Sequence, residues 1–288
     1  MCCDGRVTVD HDPDHLRAVA EQLAEEAAAF VRRRRTEVFG AGSPGDAAAA
    51  TRTKSTPTDP VTIVDTETER LLRERLAELR PGDPIVGEEE GGSAVGHSGQ
   101  PTWVLDPIDG TVNFLYGLEA YAVSVGVQVD GRSVAGAVAN VPTGEIFSAA
   151  RGSGAYLTRE DTTTRLQCNA VVDVSMALVG TGFGYAPERR RIQAEVLARL
   201  IPVVRDVRRV GSCALDLCMV AAGRLDAYYE LGVNVWDWAA GALIAEEAGV
   251  RLHLPVVEDD GREPGLIVAA AAGIAEEFDE VLRRAGAM

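Results

Sequence analysis

The chain has 288 residues, 46% of them apolar, with 44 acidic and 28 basic side chains and a formal charge of −16. That length and apolar share call for one large core or two intimate domains. The charge argues against duplex nucleic acid or an anionic membrane as a default partner, and no apolar run approaches the roughly 20 residues that span a bilayer.

Residues 1–13, with Asp4, Asp10 and Asp12, read as a loose acidic tail without the apolar segment of a secretory leader. From residue 14 to about 39, Leu16, Val19, Ala20, Leu23, Ala27, Phe30 and Val31 recur at three- and four-residue steps and predict an amphipathic helix. The run from Arg32 to Arg35 suits the negative end of the helix dipole and reads as a solvated helix end. Residues 40–60, rich in Gly, Ala, Ser, Thr and Pro, predict a mobile loop that carries Lys54 and Asp59. A second helix follows over 62–79, with Thr62 as N-cap, Asp65 in its first turn and a buried stripe of Leu71, Leu72, Leu76 and Leu79.

Residues 84–87 predict a short strand ending in Glu88, Glu89 and Glu90, and a loop over 91–100 leads to a buried strand at 103–105, which Pro107 is expected to end. Alternating valines over 121–129 and the return over 133–141 across Asp130-Gly131 predict a hairpin, and Thr143-Gly144 turns into a further strand at 145–149. The first half therefore reads as helices on a largely antiparallel sheet. In the second half, strands at 177–181, 204–210, 225–230, 250–254 and 266–271 alternate with helices at 188–200, 212–222, 236–248 and 274–284, which predicts a mainly parallel α/β layer. The expected division is an N-terminal α+β domain over 14–172 and a C-terminal α/β domain over 173–288. The five cysteines form no C-x-x-C pair, so neither a disulfide framework nor a zinc site is expected, and a reducing cytoplasm is. Cys213 and Cys218 read as small core residues.

Chemistry concentrates at element ends. Asp106 and Asp109 stand three apart around Pro107, followed by Gly110, which admits a close backbone approach, and by the Thr111 hydroxyl. Taken alone, such a turn caps its own backbone. It is joined, however, by Asp59 and Asp65, by Glu88 to Glu90, and by Asp237 at a helix start. An all-oxygen set without His or Cys favours Mg²⁺ or Mn²⁺ over Zn²⁺. Several carboxylates around more than one cation suit phosphoryl transfer to water, one metal activating the water and another holding the leaving oxygen.

The run from Trp103 to Thr111, W-x-x-D-P-I-D-G-T, resembles the first signature of the inositol monophosphatase family, and the W-D-x-A-A-G run from Trp236 to Gly241 resembles the second. Gly87-Glu88-Glu89 resembles its G-E-E element, Lys54 through Asp65 its K-x-x-x-D-x-V-T-x-x-D segment, and the run from Arg208 to Ser212 the R-R-x-G-S element of its bacterial branch. The resemblance runs from about residue 15 to 285. It implies an αβαβα sandwich, usually a homodimer, and a lithium-sensitive phosphatase that hydrolyses myo-inositol monophosphate with two to three Mg²⁺ ions.

Carried over by position, the resemblance implies that Glu88, Asp106 and the Ile108 carbonyl bind one metal, that Asp106, Asp109 and Asp237 bind a second, and that Glu88 helps hold a third. It counts Asp65, Thr111 and Glu88 as catalytic, the Asp65–Thr111 pair orienting the attacking water. Gly110 and Thr111 N–H groups would hold phosphate oxygens, and Glu230 with Gly211, Ser212 and Cys213 would bind inositol hydroxyls, with Arg208 nearby. Lys54 would sit on the loop touching metal-bound water. Tyr185 and Trp238 depart from some family members and bear on the substrate. Alternatives are the same chemistry on fructose 1,6-bisphosphate, NADP, a nucleotide 3′-phosphate or histidinol phosphate, or a regulatory protein that binds transcription machinery through Arg32–Arg35 and Arg189–Arg191.

Overall fold

The computed structural model describes residues 11–40, 51–54, 60–92, 98–255 and 265–288. The expected tail at 1–10, residues 41–50 and 55–59 of the expected loop (Asp59 among them), and residues 93–97 lie outside the described residues. Helix α1 (Pro13–Phe39) starts where Asp12 accepts the His15 N–H and Pro13 takes a position that needs no donor, one residue inside the expected tail. Its apolar stripe is buried as its spacing predicts, apart from Phe30, which is half-buried. The basic run at its end does more than meet solvent. Arg32 donates to the Val141 carbonyl at 2.9 Å, Arg34 pairs with Glu67 at 2.8 Å, and Arg35 donates to the Phe114 carbonyl at 3.0 Å.

Part of the stretch expected to be loop is a hairpin, β1 (Thr51–Thr53) pairing antiparallel with β2 (Pro60–Thr62). Strands of only three residues, Thr-Arg-Thr and Pro-Val-Thr, are too short to show an alternation. Helix α2 (Ile63–Leu79) follows with Thr62 as its N-cap, as expected. Its buried stripe is Val64, Asp65, Thr68, Glu69, Leu72 and Leu76, so two acids stand in positions where apolar side chains are the rule.

The first sheet has eight strands. They are β3 (Ile85–Gly87), β4 (Gly91–Gly92), β5 (Thr102–Asp109), β6 (Ala122–Val129), β7 (Arg132–Asn140), β8 (Ile146–Ala150), β9 (Gly154–Arg159) and β10 (Thr162–Arg165). Their order is β10-β9-β8-β7-β6-β5-β3-β4, and only β3 and β5 run parallel. Strands β9 and β10 were not expected, since β10 is exposed and polar along its length. Between β5 and β6 lies the short helix α3 (Thr111–Tyr116).

The second sheet has β11 (Leu178–Thr181), β12 (Asp206–Arg208), β13 (Ala227–Val233), β14 (Val250–His253) and β15 (Gly265–Ala271), in the order β12-β11-β13-β15-β14. Here the expectation of a mainly parallel layer fails. Strands β12, β11 and β13 are parallel, but β15 is antiparallel to both β13 and β14. The link between β14 and β15, residues 254–264, is shorter than the dozen or so residues a parallel crossover takes.

The remaining helices are α4 (Pro187–Leu200), α5 (Cys213–Ala221), α6 (Val235–Glu247) and α7 (Ala275–Ala285). Helices α1 and α2 cover the outer face of the first sheet, and Leu16, Leu23, Leu72, Trp103 and Val125 share that core. Helices α5 and α6 lie between the sheets, where Leu217, Trp236, Ala240 and Ile244 meet Val104 and Val138 on one side and Tyr228 and Ile267 on the other. Helices α4 and α7 close the far face through Val196, Leu200, Phe278 and Leu282. The five layers are the αβαβα sandwich that the resemblance implies.

Candidate active site

Strand β5 does not stop at Pro107 but continues to Asp109 through a bulge. Asp106 faces Ser124 and Asp109 faces Ala122, so three steps on β5 match two on β6. Residues three apart on a regular strand point to opposite faces. One inserted residue restores the phase, so Asp106 and Asp109 aim to the same side. Pro107 sits inside the bulge, where its missing N–H costs no ladder bond.

Asp237 arrives from the other half of the chain, in the first turn of α6. Carboxylate oxygens of Asp106, Asp109 and Asp237 all lie within 4.8 Å of one another. Each acid commits one oxygen to a hydrogen-bond donor of the protein. Asp106 Oδ1 accepts the Ile108 N–H at 3.0 Å, Asp109 Oδ2 accepts the Ser212 hydroxyl at 2.6 Å and the Ala214 N–H at 2.7 Å, and Asp237 Oδ2 accepts the Asn234 N–H at 2.5 Å.

Burial pushes the Asp109 carboxyl up to about 7, against the pull of Ser212 and Ala214, and the charges of Glu230 and Glu88 add to the rise. Asp106 and Asp237 are raised by burial and then by the neighbouring acids. Burying several carboxylates together is unfavourable unless positive charge joins them. A divalent cation bound by oxygen supplies it, and the donor set fits Mg²⁺.

These acids line a cavity of about 790 Å³ together with Lys54, Glu88, Glu89, Ile108, Gly110, Thr111, Tyr185, Arg189, Arg209, Gly211, Cys213 and Glu230. Glu88 lies outside the tight cluster of three but on the same wall, its Oε1 2.8 Å from Lys54 Nζ, which also meets Glu89 Oε1 at 2.5 Å. Burial disfavours the Lys54 ammonium, but Glu88 and Glu89 outweigh it and hold its pKa above the usual range. Burial and Glu88 push Glu89 up to about 7.

Asp65 is fully buried, and its Oδ2 accepts the Thr62 N–H and hydroxyl in a capping box. Its Oδ1 accepts from Thr111 Oγ1 at 3.1 Å, and that hydroxyl lies equally close to the Ile108 carbonyl. Burial raises Asp65 to about 6, countered by Thr62. Gly110, with φ of 95°, caps the start of α3; a side chain there would crowd the Ala120 and Gly211 carbonyls.

Not every expected residue reaches the cavity. Arg208 is exposed and pairs with Asp206 at 2.6 Å, whereas Arg209 lines the wall. On a strand, residues two apart share a face, and that Asp–Arg spacing was the available signal. Ser212 is buried behind the wall and acts on Asp109. Trp238 packs in the core and does not line the cavity, while Trp236 and Tyr185 do. Glu230 lines it, its Oε2 accepting the Tyr228 hydroxyl at 2.6 Å and its carboxyl raised by burial. Sequence reasoning did not place Arg189, Arg209 or Asn234 at the cavity; Arg209 stands in the R-R-x-G-S run and Asn234 forms an N-x-x-D capping box with Asp237, and those spacings were the available signal.

A layered αβαβα sandwich with buried acids converging on one cavity defines a metal-dependent enzyme. The chain belongs to the inositol monophosphatase family, whose model matches residues 12–284. It is 63% identical to Inositol-1-monophosphatase SuhB of Mycobacterium tuberculosis (strain ATCC 25618 / H37Rv) over 279 residues, 96% of each chain. A solved structure of Mycobacterium tuberculosis SuhB superposes with a TM-score of 0.81 at 56% identity, covering 96% of this chain and 98% of that one. A structure of SaIMPase-II with bound inositol monophosphate gives 0.74 at 25% identity and covers 94% of each.

Proposed function

We propose that the chain hydrolyses myo-inositol monophosphate to myo-inositol and phosphate, with two to three Mg²⁺ ions at the floor of the cavity. The observation that carries this reading is the meeting of Asp106, Asp109 and Asp237, from β5 and α6, within 4.8 Å. Glu88, Asp106, the Ile108 carbonyl, Asp109 and Asp237 would hold the cations. When bound, these would lower the pKa of the attacking water and neutralise charge on the phosphoryl oxygens.

The chain's own groups do the rest. Thr111 Oγ1 orients the water and passes its proton to Asp65 Oδ1, 3.1 Å away. A carboxyl near 6 is suited to accept it at neutral pH. Thr62 fixes the other Asp65 oxygen, so the receiving one cannot turn aside. N–H groups of Gly110 and Thr111 orient the phosphate. Glu230, Gly211, Cys213 and Arg209 contact the inositol hydroxyls, Arg209 lining the wall where the exposed Arg208 does not reach.

The same reading makes the active form a lithium-sensitive homodimer with the two domains meeting near residue 172. The three described cysteines are free, which suits the cytoplasm. The test is phosphate release from inositol 1-phosphate with and without Mg²⁺, beside fructose 1,6-bisphosphate, NADP, nucleotide 3′-phosphate and histidinol phosphate. The expected result is Mg²⁺-dependent turnover with the highest kcat/KM on the inositol ester. No turnover at several millimolar Mg²⁺ would refute the assignment.

A further inference from the structure

Glu69 lies on α2 one turn beyond Asp65 and is fully buried. It does not reach the cavity; it grips the turn that carries Glu88. Its Oε2 accepts the Glu89 N–H at 2.8 Å and its Oε1 accepts the Glu90 N–H at 3.0 Å. Its charge is answered by Arg73, Nε to Oε1 at 2.9 Å, and Arg73 in turn donates to the Gly91 carbonyl at 2.6 Å. The turn from Gly87 to Gly91 is thus held on its amide side by a carboxylate and on its carbonyl side by a guanidinium, both from α2. On the other flank the Glu88 N–H donates to the Leu105 carbonyl at 3.2 Å, one residue from Asp106.

Gly87 completes the arrangement. A Cβ at that position would lie 2.3 Å from Glu69 Oε1 and 2.7 Å from Oε2. Any side chain at 87 would therefore displace the Glu69 carboxylate from the amides it holds. The displaced group is the end of a side chain rather than backbone, so the fold can survive the change while the grip cannot.

We infer that Glu69 is a positioning residue: through the Glu89 and Glu90 amides it fixes the direction in which Glu88 offers its carboxylate to a bound cation, and Gly87 is glycine to leave room for it. The inference rests on the metal-site reading given above. A carboxylate held by two backbone donors and one guanidinium keeps one rotamer, and the loop it grips loses the freedom to turn Glu88 outward. Without the grip, Lys54, which pairs with Glu88 and Glu89 at 2.8 and 2.5 Å, would compete with the cation for a turn free to follow it.

The test uses E69Q, G87A and the double variant G87A/E69Q, with two readouts: the Mg²⁺ concentration at the midpoint of metal-induced thermal stabilisation without substrate, and that giving half-maximal phosphate release. Groups that support a metal ligand alter metal affinity by about 10- to 100-fold. Each single variant is expected to raise both midpoints about tenfold, with kcat at saturating Mg²⁺ within about threefold of wild type. The double variant should be no worse than the poorer single one, because both changes break one contact. If E69Q does not fold, G87A alone still breaks the grip and carries the test. Unchanged midpoints in the folded variants, or effects that multiply in the double variant, would overturn the positioning role alone. A wild type whose melting temperature ignores Mg²⁺ would overturn the metal-site reading and this role with it.

Discussion

The floor and the rim of the cavity are built on different principles. On the floor, Asp106 and Asp237 each bind a donor within three residues and keep the other oxygen for the site, as does the buried Asp65 behind Thr111, whose other oxygen accepts the Thr111 hydroxyl. For these three the local backbone helps aim the side chain, whereas Asp109 is held across the chain by Ser212 and Ala214. On the rim, Arg189 and Arg209 make no hydrogen bond or ion pair among the described residues, and Glu230 is positioned by Tyr228. The floor is fixed before ligand arrives, whereas the rim arginines keep donors free for it. Damage to the floor should therefore abolish chemistry, and damage to the rim should weaken binding.

The sharpest way to break this contrast is Asp106→Asn, which removes charge from the centre of the floor. It is expected to lower kcat/KM by at least about a thousandfold, roughly 4 kcal/mol of transition-state stabilisation. A steady-state assay at saturating Mg²⁺ measures it, and a loss below tenfold would contradict the floor's role. Thr111→Ala comes next, with kcat down about 10²- to 10⁴-fold, the usual range for a proton relay, and KM little changed.

The third expectation concerns the metal-free protein. Asp109 and Glu89 titrate near 7 and Asp65 near 6 when folded, all above the roughly 4 of an unfolded chain. Between about 4 and 7 the folded state therefore binds more protons than the unfolded one, and stability falls as pH rises through that window. Melting of EDTA-treated protein should drop by several degrees from pH 5 to pH 8, and saturating Mg²⁺ should flatten the slope. A flat metal-free profile would mean that burial and the neighbouring charges do not raise these acids. Smallest is the rim effect. Arg209→Gln should raise KM about tenfold with kcat retained, while Arg208→Gln should stay within twofold, since among the described residues Arg208 bonds to Asp206 and the Val207 carbonyl alone.

The same contrast accounts for what could be read from the sequence. The Asp65 capping box and the acid-bearing turn at Asp106–Asp109 have short spacings with a physical meaning, while the layer order came from the family resemblance. Three features resisted. The bulge that brings Asp106 and Asp109 into phase depends on the partner strand β6. The antiparallel β15 depends on a link too short for a crossover. Arg209 rather than Arg208 faces the cavity because β12 ends between them. Glu69 was hidden for a related reason: an acid on a helix reads as solvent-facing until the turn it holds comes into view.

The Ser212 hydroxyl and the Ala214 amide reach Asp109 from 103 and 105 residues away, and they join the start of α5 to the end of β5. The cavity floor is thus a keystone across the seam between the two sheets. A seam displaced by a single bond length would leave every acid in the chain and pull Asp109 away from the two donors that hold it, so the packing of the two halves and the geometry of the cavity depend on the same few atoms.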